Sequence, residues 1–465
     1  MTRSPCSALP FVARTKHQKH PVLWVLLLVF WVVSAGCAPT SSELPEDFLV
    51  GGIQVNEPDM HGWHAKLLGS GFNTIALTVY ARQHRWDGPD ITFDPDQLGG
   101  DLVREMRAAK RAGLRVVLIL RVALDHAEPA NRFLWHGLIQ PTDDAALDAW
   151  FFRYGEFVRR WAEVAQAEGV DVFGIGSELS SLTSTQPLEA LPGLERYYLD
   201  QEKQEEERLR ALKAGGGEVP PEALEAGWND ESADLRSFLD ERTLAQAEWA
   251  RRVTFDEDLD RLNARRARLE ANWRRVIQEV RGAYSGALIY AANFDQYAEV
   301  GFWDALDVIG VNAYFPLRET LSAAPVEQLE PVFVESWRRI LGGIDEVRAE
   351  QNPEAPVIFT ELGYTGWRGS TIQPWAGDGF AVLEDDAGNQ RRVVWREQPS
   401  EPMERALAIE TLGRVATERN DLLRGLLYWK LSSVPEHRNI EPFVIVLEEE
   451  ADPALAALRT LAGGR

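Results

Sequence analysis

The chain has 465 residues, a formal net charge of −23 and 45% hydrophobic residues. That apolar share supplies a sizeable core and excludes a globally disordered chain. The acidic balance lacks the basic footprint of nucleic-acid binding, so no nucleic-acid partner is expected.

Arg3, Arg14, Lys16 and Lys19 precede an apolar run over 21–33 that is too short for a comfortable membrane span. Ser34-Ala35-Gly36-Cys37 follows and resembles a bacterial lipobox. This predicts a lipoprotein signal peptide over 1–36, lipidation of Cys37 and a lipid-anchored place at a bacterial cell envelope. Cys6 is the only other cysteine, so a chain cleaved before Cys37 has no disulfide. Residues 37–47, with Pro39 and Pro45, read as a tether, and 48–465 as the globular domain.

Eight strand-like runs follow, at 50–55, 74–80, 115–122, 172–176, 287–292, 308–313, 356–361 and 425–431. Most are continuously apolar, as parallel strands buried on both faces should be. Helical patterns over 98–112, 143–168, 273–281, 334–348 and 402–419 lie between them, several ending at glycine. The alternation predicts an α/β fold, a closed (β/α)8 TIM barrel. A segment over 189–271, dense in Glu, Arg, Leu and Ala, reads as a helical insertion after strand four, solvated and packed beside the barrel mouth. A polar insertion over 367–398 reads as a loop or small hairpin on the active-site face. No Walker motif, dinucleotide fingerprint, Gly-x-Ser-x-Gly elbow or metal-ligand spacing occurs, and neither a metal nor an organic cofactor is expected.

Two glutamates stand out. Glu178 ends Val172-Phe173-Gly174-Ile175-Gly176-Ser177-Glu178, and Glu361 ends Pro356-Val357-Ile358-Phe359-Thr360-Glu361. Both fall at C-terminal tips of predicted strands, the fourth and the seventh, where barrel enzymes place catalytic groups. Facing carboxyl groups can cleave a glycosidic bond: roughly 5–5.5 Å apart they give retention through a covalent intermediate, and roughly 6.5–9.5 Å apart inversion. The structural alternative is that each glutamate pairs with an Arg or Lys on a neighbouring strand.

The runs Gly174-Ile175-Gly176-Ser177-Glu178-Leu179 and Ile358-Phe359-Thr360-Glu361-Leu362-Gly363-Tyr364 resemble the two catalytic strand ends of clan A glycoside hydrolases. More narrowly, the chain from about 49 to 430, without the first insertion, resembles glycoside hydrolase family 113, whose characterised members are retaining β-mannanases. Trp135-His136-Gly137, Val311-Asn312-Ala313-Tyr314 and Tyr428-Trp429 carry the same resemblance. It implies that Glu178 is the acid/base, Glu361 the nucleophile and β-1,4-mannan or manno-oligosaccharides the substrate. Ser177 stands where many clan members have Asn, which leaves the handling of the sugar 2-OH undefined.

The mechanism requires one protonated and one ionised carboxyl group near neutral pH. Tyr314 is expected to hydrogen-bond Glu361, keeping its pKa low. Trp429 is the expected platform beneath the sugar being cleaved, with Trp86, Trp135, Trp367 and Trp375 in loops expected on the same face. Tyr80, Arg121, Asn293 and Asn312 are candidate hydroxyl binders at strand tips. Two alternatives remain: an exo-acting retaining β-glycosidase of different sugar specificity, and a non-catalytic carbohydrate-binding or scaffold lipoprotein.

Overall fold

The structure is a computed structural model that describes residues 44–94, 100–131, 134–183, 244–253, 259–319, 324–375, 382–384, 390–392, 399–419, 422–439, 441–447 and 452–463. Cys37 and the expected signal peptide lie outside these residues. So do 184–243, most of the expected insertion.

Eight parallel strands form the barrel: β1 (Leu49–Gln54), β2 (Thr74–Gln83), β3 (Arg115–Leu124), β4 (Val172–Ser177), β5 (Ala287–Asn293), β6 (Val308–Asn312), β7 (Val357–Leu362) and β8 (Leu423–Ser432). Neighbours pair in chain order, and β1 pairs with both β2 and β8, which closes the ring. All eight coincide with the expected runs. Two short strands extend the sheet, Ile91–Thr92 antiparallel to β2 and Ile445–Val446 parallel to β8.

Side-chain alternation separates two cores. Leu49, Ala76, Val117, Ile119, Ile289 and Ile358 fill the barrel interior, while their neighbours along each strand pack outward on the helices. The packing is tight enough to require glycine in places. A Cβ on Gly310 would lie 2.3 Å from the Tyr290 carbonyl oxygen. Leu44, expected in the tether, packs against the interior cluster, and the carbonyls of Pro45 and Glu46 accept hydrogen bonds from Arg424. The described packing therefore begins at Leu44, inside the expected tether.

The surrounding helices are α1 (Met60–Gly69), α2 (Asp101–Ala112), α3 (Asp144–Glu168), α4 (Ser180–Thr183), α5 (Leu259–Arg281), α6 (Glu330–Gln351), α7 (Pro402–Glu418) and α8 (Pro453–Gly463). Their limits follow from local chemistry. Asp143 caps α3 by accepting from the Ala146 N–H at 2.8 Å, and Gly169 ends it in the left-handed conformation.

The insertion differs from expectation at its C-terminal end. Residues 259–271 continue without a break into 273–281 as the single helix α5. No Gly or Pro interrupts the stripe Leu262, Leu269, Trp273, Val276 and Val280, all buried. The helix at 244–253 is docked rather than solvated. Its Trp249 is buried and donates to the Leu138 carbonyl at 2.9 Å. The second insertion contains a small antiparallel hairpin, Val382–Glu384 with Gln390–Arg392.

Near the tip of β1, a cluster of ionisable groups is buried. Gln54 donates to Glu105 at 2.5 Å, and the His64 Nε2 lies 3.9 Å from the same carboxylate oxygen. Burial, with a further push from Glu57, raises the Glu105 pKa to about 7 despite the Gln54 hydrogen bond. Burial also lowers that of His64 to about 4, helped by His61. Glu57 is fixed by the Ser433 N–H at 2.9 Å and the Ser432 hydroxyl at 2.7 Å, which ties the tip of β1 to that of β8.

Candidate active site

Both glutamates sit where strand register slips. Along β7, Ile358 points into the barrel, so simple alternation would aim Thr360 inward and Glu361 outward. A register irregularity between Val311 and Asn312 on the neighbouring β6 accompanies the turn of Glu361 toward the interior instead. On β4 the slip lies between Gly174 and Ser177. A Cβ on Gly176 would meet the Tyr154 hydroxyl at 2.9 Å and also press on Tyr290 and Trp273, so a bare backbone is needed there. The chain then turns through Glu178 at φ 53. The N–H of Glu178 bonds the Ala291 carbonyl on β5, and the next N–H donates to the Tyr290 hydroxyl, each at 2.9 Å.

Glu361 is 3% exposed and ringed by donors. Arg121 on β3 forms an ion pair with its Oε1. Asn312 Nδ2 donates to the same oxygen at 3.2 Å, and the Tyr314 hydroxyl donates to Oε2 at 2.6 Å. Burial, then the charge of Glu178, raises the Tyr314 phenol well above its ordinary value and keeps it a donor. Asn312 also donates to the Ser177 hydroxyl at 3.2 Å and accepts from the Thr360 hydroxyl at 2.7 Å. It therefore links the turn that carries Glu178 to the strand that carries Glu361.

Glu178 has a different setting. Its side chain is 13% exposed, and its Oε2 lies 3.1 Å from His136 Nε2. Burial pushes its pKa up, but the hydrogen bond and charge of His136, the charge of Arg121 and the Asn312 amide outweigh burial and hold it below the usual carboxylate value. The hydrogen bonds from His136 and Asn312 and the Arg121 guanidinium thus favour the ionised form of Glu178 in this site. Burial also raises the pKa of Asp295, just past β5, and the charge of Glu178 adds to this.

The other expected residues divide into three groups. Tyr314 lies where it was expected. Trp429, Trp135, Tyr80 and Asn293 keep surface facing the mouth region. Trp429 is half-buried, with Arg121 5.2 Å and Lys430 4.3 Å from its ring centre. Trp135 is 36% exposed and meets the His136 ring edge-on at 5.1 Å. Tyr80 is exposed and pairs in register with Arg121, and half-buried Asn293 pairs with Asn312.

Three residues differ from expectation. Arg121 and Asn312 are buried and committed to Glu361 rather than offered to sugar hydroxyls. Trp86 is 3% exposed, packed on Trp249 at 6.4 Å with Arg252 4.9 Å over its ring, so it serves packing. His136 was not singled out as a partner of Glu178. The Trp135-His136-Gly137 run in the loop after β3 was the available signal.

A closed (β/α)8 barrel with carboxylates at the tips of β4 and β7, lined by aromatic rings and free of nucleophile elbows or phosphate loops, has the form of a glycoside hydrolase. The profile of Glycoside Hydrolase Family 113 matches residues 30–187 and 236–390. The chain belongs to that family and is a glycoside hydrolase. Its fold is similar to the family 113 β-mannanase AaManA from Alicyclobacillus acidocaldarius, at 18% identity and a TM-score of 0.54, covering 90% of this chain and 98% of that one. A second family 113 β-1,4-mannanase structure matches at 17% identity and TM-score 0.54, covering 90% and 100%. No curated protein matches the sequence significantly.

Proposed function

We propose that this enzyme is a retaining hydrolase of β-1,4-linked mannan or manno-oligosaccharides. Glu361 attacks the anomeric carbon, and Glu178 protonates the leaving oxygen and then activates water. The observation that carries this reading is the asymmetry of the two carboxylates. Among the described residues the polar contacts of Glu361 are all donors and occupy both its oxygens, the surroundings of an ionised and oriented nucleophile, whereas Glu178 is partly open and pairs with a titratable ring, His136. A bound sugar would exclude water from Glu178 and strengthen the burial effect that favours its protonated form. The mannanase neighbours support the choice of sugar.

Proton NMR of the first products from β-1,4-manno-oligosaccharides tests the stereochemistry. Initial release of the β-anomer is expected; initial α-anomer would mean inversion. Glu178→Ala should lose far more activity on substrates with poor leaving groups than on activated aryl glycosides, because only the former need protonation. Equal losses would remove Glu178 from the acid/base role.

We also infer lipid anchoring at a bacterial envelope through Cys37. The basic, apolar and small-residue run ending in cysteine supports it. Cys37→Ser should release the protein from the membrane fraction.

A further inference from the structure

Among the described residues, the exposed aromatic side chains are Tyr80, Trp135, Phe152 and Trp375. Phe152 lies on α3. The other three lie on a strand or loop of the barrel's C-terminal face. Trp375, at 46% exposed, has no role in the site described so far.

Trp375 follows β7 but does not stay beside it. Its ring stacks on Phe294, the residue directly after Asn293 at the tip of β5, with centroids 5.2 Å apart and planes within 15°. Phe294 in turn meets Phe315, past the tip of β6, edge-on at 5.6 Å. The loop thus reaches across β6 to the strand beside Glu178.

The root of this loop is held from several sides. Leu317 donates to the Thr371 carbonyl at 2.9 Å, and the Gly366 carbonyl accepts from Glu401 at 2.9 Å. Buried Glu404 accepts from the Gly369 N–H at 2.8 Å and the Thr371 N–H at 3.1 Å, and it pairs with Arg318 at 2.7 Å. Ile372 and Gln373 are buried just before Trp375. A ring exposed over nearly half its surface, yet seated on a second ring at the end of a pinned loop, is pre-organised for a flat apolar partner.

The side of the bond follows from the chemistry. The acid protonates the departing oxygen, so the leaving sugar lies on the Glu178 side. Glu178 is backbone-bonded to β5, and Asp295 next to Phe294 senses its charge. Trp429 sits on the other flank, on β8 beside the strand of Glu361.

We propose that Trp375, backed by Phe294, is the stacking platform for a sugar ring on the leaving-group side, and so sets the preference for oligomeric substrates. This rests on the hydrolase reading above. The test compares kcat/KM for β-1,4-mannohexaose with that for an aryl β-mannoside, whose leaving group carries no further sugar. Trp375→Ala should lower the ratio of the two roughly tenfold, and Trp375→Phe should restore most of it. Equal loss on both substrates, or loss on neither, would overturn the platform while leaving the hydrolase intact. Failure of the unmodified enzyme to cleave either substrate would instead overturn the mannanase reading, and the platform with it.

Discussion

The Tyr314 hydroxyl donates to Glu361 Oε2 at 2.6 Å while Arg121 and Asn312 occupy Oε1. Glu361 is therefore held through both oxygens, and in the proposed mechanism it must give up part of this solvation to form a bond. Hydrogen bonds to charged groups contribute about 1.5–3 kcal/mol each. Tyr314→Phe is expected to lower kcat roughly 10- to 100-fold with a smaller change in KM, because the bond orients the attacking oxygen. Steady-state kinetics on a manno-oligosaccharide checks this; an unchanged kcat would mean that Arg121 and Asn312 suffice.

His136 contacts Glu178, the proposed acid/base. Its hydrogen bond and charge are the leading influences that lower the Glu178 pKa against burial. The basic limb of the kcat/KM profile reports loss of the proton from the acid in the free enzyme. Removing the lowering influence raises that pKa, so His136→Ala should move the basic limb to higher pH. A downward or absent shift would detach His136 from this role.

Glu105 gives stability a pH dependence with a defined sign. Its folded-state pKa, about 7, lies above the ordinary value of 4.5. Its contribution is therefore fully present below about pH 4.5 and is lost as pH rises through 7. The loss above pH 7 is on the order of 3 kcal/mol. Glu105→Gln, which stays uncharged, should raise the urea midpoint relative to the unmodified protein at pH 8 more than at pH 5. Buried His64, with its pKa lowered to about 4, acts in the opposite direction and loses its contribution as pH falls below 6.5.

The barrel was legible in the sequence because strands buried on both faces must be apolar at every position, and runs such as Val116 to Leu120 leave no other reading. Glu178 and Glu361 were legible as polar residues ending such runs. The register slips that aim them were not, because a slip is a property of two paired strands. Arg121 and Asn312 were recognised as polar tips but given to the substrate, since sequence does not say which tip faces which across a closed ring. His136 escaped because it lies 42 positions from Glu178 and only folding joins them. The extent of α5 was missed because its charged outer face reads like solvated insertion, although Trp273 and Leu269 share one buried stripe.

Glu178 adopts φ 53, a backbone conformation that costs a residue with a Cβ about 1–2 kcal/mol and costs glycine almost nothing. The position of Glu178 is thus one that the fold alone would fill with glycine. Glu178→Gly should unfold at a higher denaturant concentration than Glu178→Ala, although both remove the same carboxyl group. In the proposed mechanism this strained residue is the proton donor, so selection for thermal robustness alone would erase it.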